Sequence, residues 1–247
     1  MPRGQRDAQS DQKTGRILAD GGKFARGGGK RKELFCLQCD VSKYFDSIDH
    51  KILLAIIKKK IVGGKTLWLI GEIINSGSSK KVFENLFDYR LTGIPIGNLT
   101  SQLFANIYLN ELDQFVKHRL REKFYIRYMD DFLILNHDKK KLHNLKQTIK
   151  EFLTDKLALT LHPKKANIFP VTNDIDFLGY RIFKNYRLLR KSTIKRFIKR
   201  MRKHRKKLDE GTMTQDKLDH FVQSWLAYAE FGNTWGLRRK MGLLLYK

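Results

Sequence analysis

From Leu34 the chain turns apolar, and the run LFCLQC closing on Asp40 reads as a buried strand. A short polar turn follows, then ILLAIIKKKI, whose apolar residues cluster at helical spacing. A second helix is predicted over about 65–75, ended by the Gly and Ser cluster at 77–79. GIPIGN reads as a loop, with Asn98 as a helix cap. Apolar residues at 99, 103, 107, 112, 115 and 116 then predict a long helix with an apolar stripe. FYIRYM and FLILN are strand patterns flanking Asp130 and Asp131, which predicts a hairpin with a carboxylate pair at its two-residue turn. A helix over roughly 140–155 comes next, and DFLGYRIF with YRLLR suggests a further hairpin around Lys184 and Asn185. This order of elements suits a mixed sheet covered on one face by helices, an α+β design.

Beyond it, Ile194, Phe197, Ile198, Met201 and Leu208 fall on one helical face. A last helix, LDHFVQSWLAYA, repeats the pattern with Leu218, Phe221, Val222, Trp225, Leu226 and Ala229. The two helices predict a separate lobe. Residues 1–33 differ in texture: they hold seven of the 18 glycines among scattered basic residues, the composition of a flexible tail. GGGK at 27–30 and GGKT at 63–66 resemble phosphate loops only briefly. The first lacks a following Ser or Thr, and the second has Lys59 where the leading glycine belongs.

The chain has 247 residues, 41% of them hydrophobic, which is enough to build a core and excludes global disorder. No apolar run approaches the roughly 20 residues of a membrane span, and the start lacks a signal segment, so a soluble, cytoplasmic protein is expected. Only Cys36 and Cys39 are present. Their spacing invites a zinc or redox reading, but no second pair exists and residues three apart on a strand face opposite ways, which favours plain burial. Lys and Arg number 50 against 25 Asp and Glu, a net charge of +25. A surplus of that size asks for a polyanionic partner, nucleic acid before an anionic membrane.

Asp40 closes a strand, and Asp130 and Asp131 sit at a hairpin turn. If the strands are neighbours, three carboxylates converge at one sheet edge and repel unless cations sit between them. Hard Mg²⁺ takes such oxygen ligands and completes its shell with water and substrate phosphate, so the group reads as a phosphoryl-transfer site. The plainer alternative is that an Asp pair merely fills a turn.

YMDD at 128–131, DVSKYFDSID from Asp40, GIPIGNLTSQ from Gly93 and FLGY at 177–180 stand in the order and spacing of a reverse transcriptase palm. The chain resembles that family from about Leu34 to its C-terminus. Within it, the chain is most similar to the reverse transcriptases of diversity-generating retroelements, with group II intron and retron enzymes as near relatives. The discriminating segment is IGNLTSQ: Ile96 stands before Gly97, where most of the family has Gln, and Gln102 follows Ser101 in place of Pro.

The resemblance implies a role for each matching residue. Asp40, Asp130 and Asp131 would bind two Mg²⁺ ions, with Mn²⁺ as a substitute, aided by the Val41 carbonyl, Asp131 being the third member, nearer the primer end. Phe45 would block a nucleotide 2′-hydroxyl, and Ile96, Gly97 and Gln102 would line the incoming nucleotide, Ile96 accompanying error-prone copying of template adenine. Lys165, or its neighbour Lys164, would donate a proton to pyrophosphate. Tyr128 and Met129, with Phe177, Leu178, Gly179 and Tyr180 as a primer grip, would face primer and template, although Phe177 to Tyr180 also suit plain sheet packing.

From Arg181 to Lys207 there are 14 Lys or Arg and no acid. Lys195, Lys199 and Arg202 are expected to track a phosphate backbone from the basic face of this helix, where the family has its thumb.

The resemblance therefore divides the chain into a tail over 1–33, a catalytic palm over 34–182 and a helical thumb over 183–247. It implies an RNA-directed DNA polymerase copying template RNA from a nucleic-acid primer with deoxynucleoside triphosphates, and a small basic accessory protein as partner. The family has fingers before the first palm strand, whereas this chain has only the Gly-rich tail. The tail, a partner or a longer natural chain would have to supply them. A non-catalytic, maturase-like RNA-binding protein is the alternative, and an RNA-templated RNA polymerase is disfavoured by the bulk of Phe45.

Overall fold

A computed structural model describes residues 33–76, 79–82, 89–95, 97–183 and 185–243. The chain forms two compact units, one over Phe35–Phe169 and one that includes Pro170–Lys247.

In the first unit, β1 (Phe35–Cys39) is followed by the short α1 (Tyr44–Ser47), α2 (His50–Lys58) and α3 (Gly64–Asn75). The hairpin β2 (Ser79–Val82) and β3 (Tyr89–Thr92) leads to α4 (Leu99–Gln114), which runs on through a wider helical turn at Phe115–Arg119. Next come β4 (Tyr125–Tyr128), β5 (Asp131–Asn136), α5 (Lys139–Leu157) and β6 (Asn167–Pro170). The principal sheet has the order β4-β5-β1-β6, with β5 antiparallel to both β4 and β1. This is the α+β architecture expected.

The local causes are visible in the sequence. Asp49 caps α2 by accepting from the Ile52 amide at 3.0 Å, and Asp138 caps α5 by accepting from the Lys141 amide at 3.1 Å. On β1 and β5, Leu37, Cys39, Phe132 and Ile134 alternate toward one core, which α4 and α5 complete with Leu109, Leu112, Leu145, Ile149 and Leu153. Cys36 and Cys39 are buried in β1, and burial pushes both thiols up, Cys39 to about 12, so they remain protonated.

Three expectations change. The helix at 99–116 buries Ser101, Phe104, Ala105, Tyr108, Leu109, Leu112 and Val116, while Leu99 and Leu103 of the expected stripe are 78% and 57% exposed. Two stripes of helical period compete along this segment. Small Ser101 and Ala105 let one face pack closely, and Tyr108 satisfies its hydroxyl inside by donating to the Leu157 carbonyl at 2.6 Å. Asn98 stands at the helix start, yet its side chain makes no capping bond. Third, Tyr128 pairs with Asp131, so the tight turn is Met129–Asp130 and Asp131 begins β5.

The second unit begins with a three-stranded meander: β7 (Ile175–Phe177), β8 (Tyr180–Ile182) and β9 (Arg187–Leu189). Two reversals, not one, shape this region, because Gly179 with φ 88° closes DFLGYRIF on itself before the chain reverses again between β8 and β9, where Lys184 lies outside the described residues. The helices α6 (Lys191–Asp209), α7 (Gln215–Ala229) and α8 (Trp235–Lys240) follow. The Phe197 ring stacks on Trp225 with centroids 3.9 Å apart, joining α6 to α7, and the Tyr180 hydroxyl donates to the Tyr228 carbonyl at 2.7 Å. The meander thus packs with these helices, whereas sequence reading placed the boundary at 182/183. Among the described residues, no helix is long and apolar enough to cross a membrane.

Candidate active site

Asp40 stands immediately after β1, and an extended segment at 160–162 fixes its backbone. The His162 amide donates to the Asp40 carbonyl at 2.8 Å and the Ser42 amide donates to the Thr160 carbonyl at 2.8 Å, flanking an antiparallel bridge between Val41 and Leu161. In such a pair Val41 directs its own amide and carbonyl away from that segment. The chain then turns, the Lys165 amide donating to the His162 carbonyl at 3.1 Å. That turn returns the Lys165 ammonium to Asp40, and Nζ donates to Oδ2 at 2.7 Å. Lys164 makes no such contact: its amide donates to His162 Nδ1 at 3.2 Å.

The hairpin turn brings the other carboxylates to the same end of the sheet, since β5 pairs directly with β1. Burial raises the Asp130 carboxyl above its ordinary range, its own backbone hydrogen bond opposes this, and the Asp40 charge adds to the rise. Lys165 is held protonated first by its hydrogen bond to Asp40 and then by the charges of Asp40, Asp131 and Asp130. One ammonium therefore senses all three acids. Among the described residues, no group of three or more His, Cys, Asp or Glu side chains is gathered closely enough to hold a metal ion by itself. The donor chemistry nevertheless suits a hard divalent cation: the side chains at this end of the sheet offer carboxylate oxygens, the ligands such an ion prefers.

Phe45 lies in α1, half-buried against the core, and its carbonyl accepts from the Ile94 amide at 3.0 Å. This bond ties α1 to the loop carrying Gly97. Gly97 has φ 109° and, among the described residues, nothing within 4 Å of where a Cβ would stand, so its backbone is open to close approach. Gln102 is exposed on α4, and Tyr128 and Met129 are half-buried. Ile96 lies outside the described residues.

Arg127 on β4 was missed in the sequence, although a lone charge in an apolar strand beside an Asp pair signals a partner. Its Nε and Nη2 donate to the two carboxylate oxygens of Asp113 at 2.8 and 2.6 Å, and Nη1 donates to the Met129 carbonyl at 2.9 Å. Burial disfavours the guanidinium charge, but the bonds to Asp113 and its charge outweigh that, so Arg127 stays charged.

In the second unit, Phe177 and Tyr180, expected at the primer, are 0% and 1% exposed. Both side chains are buried, Tyr180 against Tyr228 of α7, which leaves the half-buried Leu178–Gly179 turn as the accessible part of FLGY. Lys195, Lys199 and Arg202 are exposed on α6, spaced to share one face, while Phe197 and Met201 are buried.

Residues 6–182 match the family described as reverse transcriptase (RNA-dependent DNA polymerase). The chain is 29% identical to group II intron-encoded protein LtrA of Lactococcus lactis subsp. cremoris, over 74% of this chain and 40% of that protein. It is 26% identical to protein YkfC of Escherichia coli, over 63% of this chain and 49% of that protein. The chain thus spans about half or less of these curated relatives. A solved telomerase from Candida tropicalis, in complex with a fragment of telomeric RNA, shares the fold at a TM-score of 0.58 and 15% identity, covering 94% of this chain and 43% of that one. With a family match over most of its length, the chain belongs to the reverse transcriptase (RNA-dependent DNA polymerase) family.

Proposed function

We propose that this chain is the RNA-directed DNA polymerase of a retroelement, extending a primer 3′-hydroxyl along template RNA with deoxynucleoside triphosphates. The observation that carries the reading is the pairing of β1 with β5, which brings Asp40 to the end of the sheet that carries Asp130 and Asp131, with Lys165 Nζ donating to Asp40 Oδ2 at 2.7 Å. Asp40 and Asp130, with the Val41 carbonyl, would hold two Mg²⁺ ions, or Mn²⁺ in their place, with Asp131 nearer the primer. Bound there, the ions would activate the attacking hydroxyl and stabilise the leaving pyrophosphate. Lys165 Nζ would return a proton to that leaving group. Phe45 excludes a 2′-hydroxyl by bulk, and the open Gly97 backbone admits the nascent base pair. The exposed face of Lys195, Lys199 and Arg202 holds the phosphate backbone, and a small basic accessory protein completes the set of partners.

Primer extension on an RNA template with Mg²⁺ tests this. Extension by the native chain that Asp130→Asn abolishes supports it. If the native chain and an upstream-extended version are both silent while RNA binding stays steeply salt-dependent, the non-catalytic, maturase-like reading replaces it. The exposed basic face favours that second reading. Its salt slope should fall by roughly 2 to 3 when Lys195, Lys199 and Arg202 are all replaced by Gln.

We further infer the diversity-generating type, on Ile96 before Gly97 and Gln102 after Ser101. Errors at template adenine should drop in Ile96→Gln, and an unchanged error rate there would remove the subtype while leaving the polymerase reading in place.

A further inference from the structure

Met129 has φ 55°, a left-handed conformation that residues with side chains avoid, and it forms the tight turn with Asp130. Something must hold the backbone there. Arg127, two residues earlier, is in place to do so: its side chain is only 8% exposed, and its Nη1 donates to the Met129 carbonyl at 2.9 Å. The guanidinium is itself fixed. Asp113 of α4 grips it through both carboxylate oxygens, and Asp113 Oδ1 also accepts from the Tyr125 hydroxyl at 2.7 Å. Asn106, two turns earlier on the same face of α4, places Oδ1 3.4 Å from Nη1 and Nδ2 3.5 Å from the Met129 sulfur. A rigid helix thus reaches through one planar cation to a single strained carbonyl. An ion pair serving only to dock β4 on α4 would not need that third contact.

We propose that Arg127 is a positioning residue: anchored on Asp113, it holds the Met129 carbonyl and so fixes the direction in which the turn presents the Asp130 carboxylate. The inference rests on the reading of Asp130 as a metal-binding group. Lysine cannot replace Arg127, because a point ammonium cannot grip both Asp113 oxygens and the carbonyl at once.

The test compares the native chain with Arg127→Lys and Asp113→Asn, with Asp130→Asn as the control without metal. Mn²⁺ binding is followed by electron paramagnetic resonance, folding by thermal melting, and turnover by primer extension. Both variants should stay folded at the assay temperature, bind Mn²⁺ about tenfold or more weakly, and lose kcat by a similar factor with KM for deoxynucleotide little changed. Native Mn²⁺ affinity in folded variants would overturn the proposal while leaving the metal reading intact. A native chain whose Mn²⁺ binding equals that of Asp130→Asn would overturn both. Should Arg127→Lys melt below the assay temperature, Asp113→Asn decides alone, since it keeps its size and its bond to Tyr125.

Discussion

Lys165 Nζ donates to Asp40 Oδ2 at 2.7 Å although 125 residues separate them, and the contact exists because His162 pairs with the Asp40 carbonyl three residues earlier. The lysine is therefore built into the site by main-chain pairing, unlike a long surface side chain that drifts there. Replacing it with Met keeps the stem and removes the proton. We expect kcat in primer extension to fall by about a hundredfold, with RNA affinity unchanged. A loss expressed in the deoxynucleotide KM would instead assign Lys165 to holding the triphosphate.

The two faces of α4 differ in what they support. Leu109 is fully buried, whereas Leu103 is 57% exposed. Leu109→Ala should cost about 2–5 kcal/mol, and Leu103→Ala should stay within about 0.5 kcal/mol. Denaturant midpoints of the two variants separate the outcomes, and equal losses would mean that the buried face is misassigned.

At Gly179 two demands coincide. Its φ of 88° is unfavourable for any side chain, and a Cβ there would run into the Tyr228 hydroxyl. Gly179→Ala should destabilise the second unit by about 1–2 kcal/mol from the backbone alone. Part of any further loss should return in the double variant with Tyr228→Phe, because that change removes the oxygen the new Cβ would meet. Melting of the four-member cycle measures the coupling.

Asp174 accepts both Arg181 donors, at 2.6 and 2.8 Å, and this hydrogen bonding lowers its carboxyl below the ordinary value. A depressed carboxyl stabilises the fold above its unfolded value of about 3.9, and that contribution fades as pH falls through the lower folded value. Asp174→Asn should therefore cost about 0.2–1 kcal/mol at neutral pH, the range of a solvent-screened pair, and progressively less below about pH 4. A difference that persists in acid would point to packing as the cause.

Much of this was legible in the chain. The strand ending at Asp40 and the hairpin around the Asp pair follow from their short apolar runs, and the two amphipathic helices of the second unit follow from helical period. The choice between the two stripes of α4 did not, because it depends on Tyr108 finding the Leu157 carbonyl, a partner 49 residues away. The hairpin turn was read one residue late because Met129 carries no turn chemistry; its left-handed backbone is tied to Arg127, whose other donors are committed to Asp113 of α4. The segment 159–162 escaped notice for a similar reason. It pairs only around Val41, so its extended form reflects where Asp40 lies more than its own composition.

That short pairing also acts as a spacer. Five residues, Leu161 to Lys165, span the distance from the partner of Val41 to the ammonium on Asp40. An added residue anywhere among them would leave the sheet intact yet send the lysine past its target. Length variation should therefore be tolerated in exposed connections such as 210–214 and resisted in this stretch, whatever the identity of the residues that fill it.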